Sequence, residues 1–280
     1  MKILFLAPHP FYQERGTPMA VDMLLKALSR RGDKVDVITY HEGEERSYPG
    51  VTLHRIPALP GARGIGPGFS LKKLYCDLFL TVKAFKMAAR GHYQVIHAVE
   101  ESVFMAMLMR RIWRVPYIFD MDSSMPRQII EKFPFLAFAL KPLAWFEKLA
   151  VRNALAVVPV CDALADIARD FCPRKLFILR DVSFLTPPRK PGADLEALRH
   201  SLSHPCLLYL GNLETYQGVD LLLESFAKLL RDGIEATLVI AGGKPTDIQY
   251  YREQADRLQI GQKALFLGPW PVERMAELFA

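Results

Sequence analysis

Short runs rich in β-branched residues alternate with longer segments whose apolar residues recur at helical spacing. Strands are expected at 3–7, 35–40, 51–56, 93–97, 117–121, 156–160 and 176–179. The first helical pattern between them is the clearest. Ala20, Val21, Leu24, Leu25 and Leu28 share one face, and Gly32 stands where a helix C-cap belongs. Strands that alternate with helices form a parallel sheet covered on both sides, because parallel neighbours need a crossover connection.

The texture changes between Val182 and Pro205, where Pro187-Pro188-Arg189-Lys190-Pro191-Gly192 precedes a short polar helical pattern. The alternation then restarts, with strands at 206–210, 236–241 and 264–267, helices at 219–230 and 248–258, and a last helix from Pro271. This implies a first domain over 1–185, a linker over 186–205 and a second domain over 206–280. Three strands are fewer than the five or six of a full doubly wound sheet, and the last helical pattern reaches Ala280 without a cap, so the second domain is expected to be incomplete.

Composition narrows this picture. A chain of 280 residues with 51% hydrophobic residues can fill two cores. The formal charge of +6 favours an anionic partner, which leaves a nucleotide, a nucleic acid or membrane headgroups open. Dispersed basic residues and the lack of a reader motif speak against nucleic acid. Cys76, Cys161, Cys172 and Cys206 have neither zinc-ligand nor disulfide-framework spacing, which fits a reducing cytoplasm. The apolar run before Pro8 is too short for a signal segment, and the stretch 133–144 is broken by Lys141 and Pro142, so it reads as a buried or interfacial helix. A nicotinamide site is disfavoured, since no G-x-G-x-x-G follows the first strand and no acid ends the second at Tyr40.

Several motifs stand in an order that carries more information than any one of them. They are Arg15-Gly16-Thr17-Pro18, Val95-Ile96-His97-Ala98, and Gly211-Asn212-Leu213 with Gln217-Gly218-Val219-Asp220-Leu221-Leu222. Leu238-Val239-Ile240-Ala241-Gly242-Gly243 and Leu265-Phe266-Leu267-Gly268 follow. Together they resemble the family 4 retaining glycosyltransferases of the GT-B fold. That resemblance implies an α/β protein of two Rossmann-like, doubly wound parallel-sheet domains, the second incomplete. It also implies transfer of a sugar, with retention, from a UDP- or GDP-linked nucleotide sugar to the hydroxyl of a glycan or lipid-linked acceptor, in cell-envelope or exopolysaccharide synthesis. No cofactor and no metal site is expected, and the protein is expected in the cytoplasm, peripheral on the inner face of a membrane. The family's glutamate-bearing donor segment would lie beyond Ala280, so a noncatalytic, truncated binding module is the alternative.

The resemblance assigns roles residue by residue. Gly16 lets backbone N–H groups approach the donor phosphates, with Thr17 as a hydroxyl donor; a plain turn glycine is the alternative. Asp122, at the carboxyl end of its strand, falls where relatives contact acceptor and transferred sugar; it, or Ser123, could instead simply cap the next helix. Asp120 shares its side of the strand, and two neighbouring carboxylates raise each other's pKa. His97 is an acceptor contact or a core histidine, and His9 is a weaker candidate. Gly211, Asn212, Gln217, Gly218 and Gly243 form the donor-phosphate side. Asn212 and Gln217 are neutral donors where relatives carry Arg and Lys, which weakens an anion site without abolishing it. Lys244 could restore charge there, although an exposed lysine is the simpler reading. Arg110, Arg111, Arg114, Lys72 and Lys73 border a surface that meets anionic lipid, or else form a solvated face.

Overall fold

The computed structural model describes residues 1–66, 68, 70–182, 192–202 and 204–279. It divides into two units, Met1–Val182 and Ser183–Ala280. The proline-rich stretch 187–191 lies outside the described residues.

The first unit contains strands β1 (Lys2–Ala7), β2 (Lys34–Thr39), β3 (Val51–Arg55), β4 (Val95–Val99), β5 (Tyr117–Met121) and β6 (Ala156–Pro159). Their order is β3-β2-β1-β4-β5-β6, and every pairing is parallel. The order reverses between β1 and β4, which opens a crevice at the carboxyl edge where doubly wound sheets bind ligands. Helices α1 (Gly16–Arg30), α2 (Leu71–Gly91), α3 (Ser102–Trp113), α4 (Met125–Lys132), α5 (Leu140–Asn153) and α6 (Asp162–Asp170) make the crossovers.

Alternation of side chains along the strands builds two separate cores. Phe5 and Ala7 pack with Val21, Leu25 and Leu28 of α1, while Leu4 and Leu6 pack with Cys76 and Leu80 of α2 and Val103 of α3. The stop of α1 is local chemistry. Gly32 at φ +81° returns its N–H to Ser29 O, and Asp33 N–H reaches Leu28 O, which closes the last turn.

The second unit holds α7 (Ala193–Ser201), β7 (Cys206–Leu210), α8 (Val219–Arg231), β8 (Thr237–Ala241), α9 (Pro245–Arg257) and β9 (Ala264–Gly268). Its parallel sheet runs β7-β8-β9, with Leu223, Phe226, Leu238, Ile240 and Tyr251 in the core.

Three local expectations need correction. Strand β4 runs on two residues past His97, because Ala98 and Val99 pair with Phe119 and Asp120. The stretch 176–179 makes a single bridge, Leu176 with Val157, and Phe177 N–H and Leu179 N–H reach β6 carbonyls as a loose edge. Of the buried and interfacial readings of the apolar stretch 133–144, the buried one fails: Phe135 and Phe138 are 74% and 80% exposed, in a turn of 3₁₀ helix at Pro134–Ala139.

A recurring device ties neighbouring segments together. A phenol donates to an aspartate in Tyr40–Asp77, Tyr48–Asp22, Tyr93–Asp36 and Tyr251–Asp220. Each pair satisfies a hydroxyl that folding withdraws from water.

Candidate functional site

The carboxyl edge of the first sheet gathers residues from four elements. Gly16 and Thr17 open α1, whose leading N–H groups have no intrahelical partner by the geometry of any helix start. Gly16 has ordinary backbone angles, and a Cβ there would meet nothing within 4 Å, so the glycine is required by neither turn nor packing. Thr17 lies beside Asp122, one residue past β5, and its hydroxyl favours the ionised carboxylate, so the chain brings these two expected site residues together.

Asp120 and Asp122 lie near each other, as the period of a strand dictates. Burial, then the charges of Asp120 and Glu100, push the Asp122 carboxyl up to about 8; the nearby Thr17 hydroxyl opposes them. His97 Nε2 donates to Asp120 Oδ2 at 2.8 Å, and its ring stacks on Phe5 with centroids 4.5 Å apart. His97 is thus bonded to a carboxylate rather than to backbone. Asp120 and Asp122 line a small cavity of about 190 Å³ with Leu24, Leu179 and Asp181. His9 stands apart from this group. Full burial pushes its imidazole down to about 3, so it stays neutral, with Nδ1 against Pro10 O and Nε2 without a hydrogen-bond partner.

A second cluster adjoins the first, and no motif pointed to it. Glu100 follows β4 with φ +49°, a left-handed conformation unusual for a side chain of this size, and its N–H donates to Asp120 O. Lys73 on α2 is buried, 2.7 Å from Glu101 and 3.7 Å from Glu100. Burial acts to lower the Lys73 pKa, but the two glutamates outweigh it and the pKa rises. Burial and then Glu101 push Asp77 up to about 7, against its bonds with Tyr40 and the charge of Lys73. Two adjacent glutamates directly after a strand apolar but for His97 were the available signal.

This placement corrects the basic surface expected from sequence. Lys73 points inward to carboxylates, Arg110 donates to Asn153 O, and Lys72 donates to Arg63 O. Those three are committed to protein partners.

In the second unit the expected donor-side residues lie on the turns after β7 and β8. Asn212 Oδ1 accepts from Glu214 N–H at 3.1 Å, a local turn that leaves the residue exposed. Gln217 closes a 3₁₀ turn and is exposed, and Gly218 at φ +70° sets the chain for α8. Gly242 has φ +115°, and a Cβ there would fall 2.0 Å from Gly211 O; one at Gly243 would strike Leu213. These glycines therefore let two turns touch. Lys244 pairs with Glu214 at 2.9 Å, so its charge is partly spoken for.

Residues 15–175 match the family described as "Glycosyl transferase 4-like domain", and residues 194–280 match "Glycosyl transferases group 1". The chain is 32% identical over 215 residues to the alpha-D-kanosaminyltransferase of Streptomyces kanamyceticus, covering 70% of this chain and 54% of that one. The chain spans about half the length of the curated relatives it matches. Its fold is similar to sucrose-phosphate synthase from Thermosynechococcus elongatus, with TM-score 0.70 and 18% identity over 99% of this chain and 73% of that one. It is also similar to Anabaena HepE, solved in complex with UDP and glucose, with TM-score 0.67 and 17% identity over 99% and 71%. The two parallel sheets are thus of the GT-B type anticipated from sequence.

Proposed function

The chain belongs to the glycosyltransferase 4-like family, and from that premise we propose that it moves a sugar from a UDP- or GDP-linked nucleotide sugar to an acceptor hydroxyl with retention of configuration. The observation that carries this reading is the gathering of Thr17, Asp122 and Asp120 at the carboxyl edge of the first sheet, with His97 bonded to Asp120. A carboxyl held near neutrality both donates and accepts, which suits it to orient sugar hydroxyls. In a retaining displacement of this kind no protein nucleophile is needed. The C–O bond to the diphosphate breaks on the face where the acceptor oxygen bonds, and the departing phosphate oxygen takes the acceptor's proton. The protein's part is position and electrostatics.

The donor's phosphates are assigned to Asn212, Gln217, Gly218 and the first turn of α8, with Gly211 and Gly243 keeping the turns low. Neutral amides make this a weaker anion site than arginine and lysine would. Peripheral attachment to an anionic membrane completes the reading, supported by exposed Phe135, Phe138, Trp145 and Phe146 beside Lys141. No helix among the described residues is long and apolar enough to cross a membrane.

The test is a panel of UDP- and GDP-sugars, followed by calorimetric binding and by release of nucleoside diphosphate. One donor is expected to bind, and Asp122→Asn is expected to slow release by about 10²-fold while binding persists. No turnover with any donor would favour the binding-module alternative, and no binding of any donor would overturn the transferase reading.

A further inference from the structure

A cavity of the first unit opens over the Lys73 cluster, beside the Asp122 group. About 640 Å³ in volume, it lies between α2, α3 and α4, lined by Leu71, Leu74 and Leu78 on α2, Phe104 and Met105 on α3, and Met125 on α4. Its size falls within the usual range for small-molecule pockets. Leu71 is 79% exposed and Leu78 61%, so the wall that an apolar ligand would cover now meets solvent.

Lys73, Asp77 and Glu101 also line this cavity, and the buried charges decide what head group it tolerates. Lys73 is shared between Glu101 and Glu100 and is held close to both. Tyr40 donates to Asp77 Oδ1 at 2.6 Å. A phosphate entering here would face three carboxyl groups for one ammonium, and like charges at close range exclude a partner. An ammonium head would compete with Lys73 for the same glutamates. A hydroxyl meets neither obstacle, because it can accept from Lys73 and donate to Asp77 or Glu101.

Glu100 connects this cavity to the Asp122 cluster. It pairs with Lys73 on one side and raises Asp122 by its charge on the other. A hydroxyl seated among Lys73, Asp77 and Glu101 therefore lies on the acidic edge that the proposed transfer uses.

We propose that the cavity between α2, α3 and α4 binds the acceptor, and that the acceptor is an uncharged alcohol with an apolar body, of the lipid-alcohol class, carrying no phosphate next to the hydroxyl. The proposal rests on the glycosyltransferase reading and names the acceptor class for it. The apolar body lies along Leu71, Leu74, Leu78, Phe104 and Met105, and the hydroxyl points to the charged floor.

Calorimetry of the full chain with 1-octanol and with octyl phosphate, both below their aggregation limits, tests this without any nucleotide sugar. Octanol is expected to bind and octyl phosphate to bind at least tenfold more weakly. Leu78→Glu, a change at an exposed position, is expected to weaken octanol binding tenfold or more with the melting temperature unchanged. Glu101→Gln is expected to narrow the gap between the two ligands. Equal or tighter binding of the phosphate, no octanol binding, or octanol binding unaffected by Leu78→Glu would each overturn the proposal. Because no donor is present, these failures differ from failure of the donor panel, which concerns the nucleotide-sugar reading itself. A Leu78→Glu protein that loses self-association but keeps octanol affinity would assign the face to a second copy and would also overturn it.

Discussion

At the scale of single residues, environment rather than identity sets behaviour. Asp122 has its folded pKa raised from 3.8 to about 8 by burial and by the facing charges of Asp120 and Glu100, with Asp181 also near and Thr17 opposing. Between those two values the unfolded chain has lost this proton and the folded chain has kept it. The folded state therefore binds more protons, and this group makes stability fall as pH rises from about 4 to about 8. Asp122→Asn removes that slope, which amounts to at most ~1.4 kcal/mol per pH unit. Urea midpoints of variant and parent are expected to draw apart in the variant's favour between pH 5 and pH 7.5; a constant offset would sink the idea. Two glycines make an opposite pair. Gly242→Ala combines a left-handed φ with a Cβ 2.0 Å from Gly211 O and should destabilise the second unit by ~2 kcal/mol or more. Gly16→Ala meets open space and should leave the melting temperature within a degree or two, so any loss of donor binding would report a ligand contact.

At the scale of elements, legibility followed locality. Helix α1 was readable because its apolar stripe and its Gly32 stop are properties of adjacent residues. The run 133–144 stayed open between a buried and an interfacial helix because apolar density says nothing of which neighbour covers it, and here Phe135 and Phe138 stay uncovered. Thr17 and Asp122 were each chosen separately, yet only the crossover of α1 over the sheet makes them partners. Lys73 and Asp77 were beyond sequence reasoning for the same reason, since a lysine in the first turn of an amphipathic helix reads as a solvated charge. Its real environment gives a test. Lys73→Met leaves the half-buried Glu101 and Glu100 without their cation, and denaturant unfolding at pH 7 should show a loss of ~1–3 kcal/mol. Adding Glu101→Gln should recover part of it, whereas additive losses would argue that the pair is not coupled.

At the scale of the whole molecule, a net charge of +6 coexists with an acidic edge on the first sheet, so charge is sorted by location. The proposed membrane attachment should accordingly draw on lysines and aromatic residues away from that edge. Co-sedimentation with phosphatidylserine vesicles is expected to exceed that with phosphatidylcholine vesicles, and Phe138→Glu to reduce it severalfold; equal recovery on both lipids would count against attachment. The fold was legible at this scale because strand and helix alternate regularly; the pairing order was not, since register and neighbours depend on tertiary packing. The phenol–aspartate ties occur within each unit and have a consequence in alkali. Burial and the partner carboxylates hold Tyr40, Tyr48 and Tyr93 far above the usual phenol range, and Tyr251 at about 12. The ten tyrosines should therefore ionise in two waves. Ultraviolet absorbance of phenolate would rise first for the exposed rings and rise again only as the sheets come apart, so the second wave dates the loss of the fold without any added probe.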